Sequence, residues 1–450
     1  MAQLPPGPRS ATLATLHYTL DAYGYYSKCL KKYGDPFLYP SLYGPLVVTG
    51  SPEGIRAIFS ADPDTFEVFG RKAVEPLFGP ASIFLVTGQR HKRSRRLLMP
   101  PLHGARMHKY GMLMMEAALT CAERWRTGDP FVARETMQEV SIQIILRAVF
   151  GASLERSERL REAILETDRT INPLIVVFEA VRRNFGGVGP WARFQRALQK
   201  LDAVVYEEIA ERRKASGGED ILSLLLAARH EDGTGLTDPE VRDELLSLVT
   251  AGHETTAIAL SWALYWVHRQ PEVRERLLAE LDALSVDATP DAIAALPYLD
   301  AVCSETLRLY PIIPEVTRLL RKPLVLGGYT VPEGMGVGAI TALAHMREDT
   351  FPSAEAFNPE RFLARTYSPF EFMPFGGGAR RCIGVAFAMY EMKLVLAAIL
   401  RRYALRLETD APVRPVRRSV PVGPRGGVVM RLEGMRVPAR QPAVAAQVAS

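Results

Sequence analysis

Cysteine is scarce in this 450-residue chain: Cys29, Cys121, Cys303 and Cys382 are all there are, and no two form a CxxC pair. Zinc-finger and dithiol readings therefore have no footing. A disulfide framework does not arise at this density, so a reducing cytoplasm is the expected compartment. Long apolar runs are also missing. The opening MAQLPPGPRSATLATLHY holds none of the length that a signal peptide or membrane span requires, so no membrane anchor is expected. There is no internal repeat. The Gly-rich break NFGGVGP (184–190) lacks GxGxxG spacing and a preceding strand, which makes it a loop and not a nucleotide site. Charge of one sign is not in large excess either: 55 Lys and Arg against 50 Asp and Glu leave a net +5.

What is present is apolar surface. At 48% apolar composition the chain can bury a large core, which rules out global disorder. PLVVTGSPEGIRAIFS, ending at Ser60, reads as strand, turn and helix. Helical periodicity dominates from about 103 to 268. DPEVRDELLSLVTAGHETTAIALSWALYWVHR, opening at Asp238, reads as one helix of roughly 45 Å, long enough to cross a domain. From 311 to 365, Pro and Gly punctuate short strand-like pieces such as LVLGGYTVPEGMGVG, and one more strong helix follows at 384–404. No linker divides the chain. The expectation is a mainly α protein with a smaller β-rich part, one domain over 1–432, and a disordered tail over 433–450.

Two stretches stand out. GQRHKRSRRLLMPP (88–101) packs six basic residues into the seven positions Arg90–Arg96, far denser than the chain average. Most such runs are solvated faces; a nucleic-acid patch would carry interleaved aromatics, which this one lacks, so no nucleic-acid partner is expected. FMPFGGGARRCIGVAFAMYEMKL sets Cys382 after three glycines and two arginines and just before a helix N-terminus. A buried free thiol is the common fate of a lone cysteine. Here mobile backbone, nearby positive charge and helix dipole all favour an accessible, anionic sulfur that a large flat group can approach.

FGGGARRCIG resembles the haem-binding signature of the cytochrome P-450 superfamily, with Phe375, Gly378, Arg380, Cys382 and Gly384 in their expected places. The resemblance spans about residues 35 to 432. It implies the P-450 fold with the long central helix over the haem, haem b as cofactor, and Cys382 as the iron's axial ligand, whose thiolate favours O–O cleavage. AGHETT (251–256) is similar to the family's oxygen-activation segment. There Ala251 and Gly252 are implied cofactor contacts, Gly252 letting haem and dioxygen approach the backbone. Thr255, freed from the i−4 pattern at a helix bulge, is the implied oxygen-side hydrogen bonder, and Glu254 delivers protons. Glu305 and Arg308 of ETLR, with Arg361 of FNPERF, are implied members of a buried structural network.

The resemblance also answers the basic stretch. His91 and Arg95, i and i+4 on a helix, occupy positions that contact a haem propionate, as do Arg318 and Arg380; the family's more common Trp is replaced by His91. Lys92, Arg93 and Arg96 would then face an acidic electron donor. That donor is a ferredoxin or flavodoxin, fed by its reductase from NAD(P)H, because the chain holds no flavin or ferredoxin module. Phe69, Leu77, Phe78, Val249, Ile312, Ile313 and Val316 are candidate walls of an apolar substrate pocket, with Arg71 or Lys72 the sole charged candidates beside it. The expected protein is a monomeric bacterial monooxygenase acting on a lipid, terpenoid, steroid or polyketide. A peroxide-driven peroxygenase or isomerase on the same scaffold, or a non-catalytic haem carrier or sensor, is the alternative.

Overall fold

The computed structural model describes residues 4–437 apart from 152–153, 172–174, 176–177, 185, 215–216, 219, 230–232 and 419. It is a mainly α molecule with smaller sheets, as the sequence pattern predicts. The principal helices, in chain order, are α1 (Ala11–Leu20), α2 (Ala22–Tyr33), α3 (Pro52–Ser60), α4 (Arg71–Phe78), α5 (Gly88–Leu98), α6 (Gly111–Ala122), α7 (Ala133–Phe150), α8 (Leu154–Thr170), α9 (Pro190–Lys214), α10 (Asp238–Arg269), α11 (Pro297–Leu309) and α12 (Val385–Arg402).

α10 is the axis of the molecule. At 1.5 Å per residue its 32 residues run about 48 Å. It starts on a reciprocal capping box: Thr237 Oγ1 accepts from the Glu240 amide, and Glu240 accepts from the Thr237 amide. It stops at Gln270, before Pro271 opens the next helix. From Val241 onward most of it is buried, against α7 along one side and α12 and α11 along others. The seam with α7 is tight. A methyl group added at Gly252 would lie 2.9 Å from Ile145 Cδ1, so a side chain there would force the two helices apart, at about 1–3 kcal/mol.

The β-rich part is a five-stranded sheet of β1 (Phe37–Ser41), β2 (Gly44–Thr49), β3 (Phe66–Glu67), β4 (Val316–Leu320) and β5 (Gly336–Ala339), in the order β1-β2-β5-β4-β3. Only β2 and β5 run parallel, with Val47 opposite Val337. A hairpin, β6 (Pro415–Arg417) and β7 (Val422–Pro424), leans on α10. Strands Pro130–Val132, Val429–Met435 and Tyr403–Leu407 form a third sheet.

That third sheet moves the expected boundary at 432. Met435 pairs with Tyr403, and Arg436 Nη1 bonds Asp282 Oδ1 at 2.7 Å, so the ordered chain extends beyond Leu432 because its backbone and guanidinium both find partners. The remainder of the expected tail, 438–450, lies outside the described residues. Among the described residues, no helix is long and apolar enough to cross a membrane.

Candidate functional site

Phe375–Cys382 is a closed loop. The Cys382 amide donates to the Phe375 carbonyl at 3.0 Å, and the turn between them needs left-handed backbone at Gly376 (φ 65°) and Gly378 (φ 64°). Gly377 serves a different need. A methyl group there would sit 2.1 Å from the Phe59 ring of α3, so the glycine lets the loop lie flat on that helix. The free conformation inferred from the glycine run is thus spent on a tight turn and on packing.

Cys382 is the one solvent-accessible thiol; Cys29, Cys121 and Cys303 are buried. It lies three residues before the start of α12, and its Sγ accepts from the Gly384 amide at 3.3 Å. Burial pushes the thiol up, against the pull of the Gly384 amide, Arg95 and Arg381. In the chain by itself, burial outweighs these groups and favours the neutral thiol. Desolvation exceeds the stabilisation from the amide and the two arginines, and a bound cation is needed to complete the thiolate.

Beside this loop is a cavity of about 330 Å³ into which His91, Arg95, Arg318 and Arg380 all turn. Each comes from a different rule of local structure. His91 and Arg95 are four apart on α5, so they share a face. Arg318 is two residues from Val316 on β4 and so on its side of the sheet; a methyl group at Gly376 would lie 3.3 Å from Val316 Cγ2, which places Val316 against the cysteine loop. Arg380 is held by carbonyls, donating to Phe84 O at 3.2 Å and also to Val86 O.

The electrostatics of this cavity are one-sided. Among the described residues none of its walls is acidic, and the three guanidiniums bond only main-chain carbonyls: Arg95 to Arg381 O at 2.6 Å, Arg318 to Thr317 O at 2.8 Å, and Arg380 as above. Burial, then Arg380, pushes Arg318 down to about 10; burial, then Arg95, does the same to Arg380. Burial and the three arginines drive His91 to about 4, so it is neutral and offers one N–H. Cations crowded together without a counterion form an anion site. Of the remaining basic stretch, Arg90 pairs with Glu240 at 3.4 Å, while Lys92 and Arg96 are exposed at the cavity's rim.

On α10, Thr255 Oγ1 donates to Ala251 O at 2.6 Å and Thr256 Oγ1 to Gly252 O at 3.1 Å. The helix is continuous here, so the expected bulge is absent; both hydroxyls are satisfied by the i−4 carbonyl instead. A methyl group at Gly252 would meet Ile145, so the missing side chain also allows the close contact with α7. Glu254 is pushed up by burial and by Asp168, against His253, Arg418 and Arg134. Both influences favour the protonated form of the acid.

The substrate candidates separate. Leu77 and Phe78 are half-buried on α4, with the Phe78 ring 4.9 Å from that of Phe84. Val249 and Ile312 are buried in the main core, and Ile313 is half-buried. Phe69 packs on Leu46, Gly336 and the core of the β-rich part, and a methyl at Gly336 would meet its ring at 2.8 Å. The segment carrying these residues is bolted to α10 in a way the sequence did not reveal. Ala81 N donates to Asp243 at 2.9 Å, Ile83 N to Glu244 at 3.1 Å, and the Ser82 and Ser247 hydroxyls lie 2.6 Å apart. Arg71 instead pairs with Glu75 at 2.7 Å, partly exposed.

The structural network is complete. Glu305 takes Arg308 in a two-pronged bond (2.7 and 2.8 Å) and Arg361 at 3.1 Å, and accepts the Asn358 amide at 2.8 Å. Arg308 also donates to His345 O at 2.7 Å. All three side chains are buried, as expected from the apolar residues around them.

The site thus combines a thiol just before a helix, a flanking cluster of cations without a counterion, and a long helix carrying an acid and a hydroxyl. The Cytochrome P450 family model matches residues 5–430, starting some thirty residues before the expected span. The chain is 33% identical to cytochrome P450 135B1 of Mycobacterium tuberculosis, over 96% of this chain and 92% of that one. It is 32% identical to cytochrome P450 138 of the same organism, over 96% and 97%. Among solved structures, a cyanobacterial CYP120A1 with retinoic acid bound superposes with a TM-score of 0.86 at 25% identity, covering 96% of this chain and 99% of that one. The heme domain of cytochrome P450DA shares the fold, with a TM-score of 0.85 at 24% identity. The chain belongs to the cytochrome P450 family, and it is a haem-dependent monooxygenase.

Proposed function

We propose that the chain oxidises an apolar small molecule, of the lipid, terpenoid, steroid or polyketide class, with Cys382 as the axial ligand of haem iron and His91, Arg95, Arg318 and Arg380 binding its carboxylates. The observation that carries the haem assignment is the cavity beside Cys382, where three arginines and a neutral histidine converge without an acid. Haem fits this donor set: its two carboxylates supply the missing negative charge, and its iron supplies the cation that the Cys382 thiol lacks. Phe375 and Gly384 are the loop positions that hold the sulfur, through the Cys382 amide and through the Gly384 N–H.

When bound, haem supplies activation of dioxygen, one atom of which enters substrate while the other leaves as water. The chain does the rest. Ala251 offers the Thr255 hydroxyl a carbonyl partner, so the hydroxyl is held in one orientation while its oxygen can still accept. Glu254, kept above its usual range, holds the proton to be delivered. Val316 borders the cysteine loop, and Leu77, Phe78, Val249, Ile312 and Ile313 are the other pocket residues of this reading; Phe69 supports the sheet beside them. Retinoic acid in CYP120A1, a largely hydrocarbon isoprenoid with a carboxylate end, supports the lipid-like end of the class.

Electrons come from NAD(P)H through a ferredoxin or flavodoxin and its reductase. Lys92 and Arg96, exposed at the rim beside the Cys382 loop, are the docking charges. The substrate reading is tested by titrating the ferric protein with panels of fatty acids, terpenoids, steroids and polyketides. A member of one panel should shift the spin state at micromolar concentration, about −8 kcal/mol of binding; response to none of the panels would overturn the class.

A further inference from the structure

His253, inside the oxygen-activation segment, is fully buried and lies between two acceptors. Its Nδ1 is 2.7 Å from Val249 O, one turn back on α10, and its Nε2 is 2.6 Å from Asp168 Oδ2 on α8. A carbonyl and a carboxylate have no proton to give, so both ring nitrogens donate and the ring is an imidazolium. His345 shows the contrast. Its Nδ1 donates to Arg308 O and its Nε2 accepts the Met373 amide, which leaves it neutral.

We propose that the Asp168–His253 ion pair is a positioning device for the oxygen-activation turn: it ties α10 to α8 at the residue before Glu254 and governs when Glu254 holds its proton. The proposal rests on the reading of Glu254 as the proton donor. α8 packs chiefly on α9 and α7, and Asp168 reaches from it to the central helix through this bond. Glu254 faces Asp168 from α8, His253 beside it, Arg134 from α7 and Arg418 just past β6. His253 in turn faces Asp168, Glu254 and, from α12, Glu391, a buried acid that accepts from Ser141 of α7 at 2.6 Å.

Burial by itself would strip the proton from His253; Asp168 and the Val249 carbonyl reverse this and push it up to about 9. On Glu254 the two partners act in opposite senses: Asp168 raises it and His253, by less, lowers it. Breaking the same ion pair from its two ends therefore has opposite consequences. His253→Gln leaves Asp168 charged and keeps Glu254 protonated to higher pH. Asp168→Asn removes the larger, raising influence and, by leaving His253 neutral, the smaller, lowering one with it, so the net change is a small one in which Glu254 loses its proton earlier.

The test has two readouts. In holoprotein labelled with ¹⁵N-histidine and held as the diamagnetic ferrous carbonyl, His253 should show both nitrogens protonated at neutral pH, and Asp168→Asn should abolish this. A neutral imidazole in the unaltered protein would overturn the proposal. Second, product formed per NAD(P)H consumed, followed against pH, should shift its midpoint upward in His253→Gln and downward in Asp168→Asn. Equal losses with an unmoved midpoint would mean that the pair only supports the fold. Glu254→Gln separates the underlying reading: if it leaves coupling unchanged, Glu254 is not the donor, while the histidine spectrum still judges the ion pair.

Discussion

Two groups of arginines in this molecule have opposite fates. Arg308 and Arg361 close on Glu305 and on main-chain carbonyls, and every strong bond they need is made within the chain. Arg95, Arg318 and Arg380 crowd around one cavity with His91 and have carbonyls but no acid. Residue type does not distinguish the two groups; the balance of charge does. A buried polar cluster that is satisfied within the chain holds the fold together. One that is left short of an anion keeps its cations crowded at a cost, which is the ground for the ligand role proposed above.

Removing the acid from the complete cluster should have the largest effect. Glu305→Ala leaves two buried guanidiniums without their carboxylate and should cost about 3–5 kcal/mol, seen in urea denaturation as a collapse of the midpoint or as failure to fold. The same operation on the incomplete cluster should behave differently. Arg318→Leu should weaken haem retention roughly ten- to hundredfold, the value of one charge-assisted bond. It should leave the haem-free chain no less stable, because the lost cation was desolvated and beside Arg380. Equal destabilisation of the haem-free chain by both substitutions would erase the distinction.

Smaller effects sharpen the picture at its edges. Reversing the exposed charges, Lys92→Glu with Arg96→Glu, should slow reduction by an acidic donor by about tenfold at low salt without changing substrate affinity; stopped-flow reduction checks this. Thr255→Ala should retain haem but divert a severalfold larger share of NAD(P)H to peroxide, on the order of what a positioned proton-transfer group contributes. Unchanged coupling would remove Thr255 from the proton path.

A separate effect concerns Glu391, an acid belonging to neither cluster. Burial pushes it up to about 8, against Ser141 and His253. A carboxyl with a raised folded value keeps its proton in the folded state while the unfolded chain has lost it, so its contribution falls as pH rises from the ordinary carboxylate range to about 8. Glu391→Gln should therefore raise the melting temperature near the top of that window. The gain should vanish as pH falls toward the ordinary carboxylate range.

The sequence carried most of what is local. FGGGARRCIG lies within ten residues, Glu305 and Arg308 are three apart, and His91 and Arg95 four apart; helix and turn geometry alone brings such groups together. Hidden were the partners supplied by tertiary contact. Asp168 meets His253 across 85 residues, and Arg380 reaches Phe84 O across 296. The glycines illustrate the same boundary. Gly252 and Gly377 are legible as glycines, but their close neighbours Ile145 and Phe59, brought in from other helices, are not. Phe69 was legible as apolar but not as a support of Leu46 and Gly336, because composition does not say which face of a segment meets which core.

The most direct test of the account is the absorption spectrum of the purified protein, reduced and exposed to carbon monoxide. Thiolate ligation through Cys382 predicts a strongly red-shifted Soret band that is lost in Cys382→His. A band at the position ordinary for histidine-ligated haem would contradict the Cys382 assignment, and no haem band after haem-supplemented expression would contradict the reading of the arginine cavity as its seat.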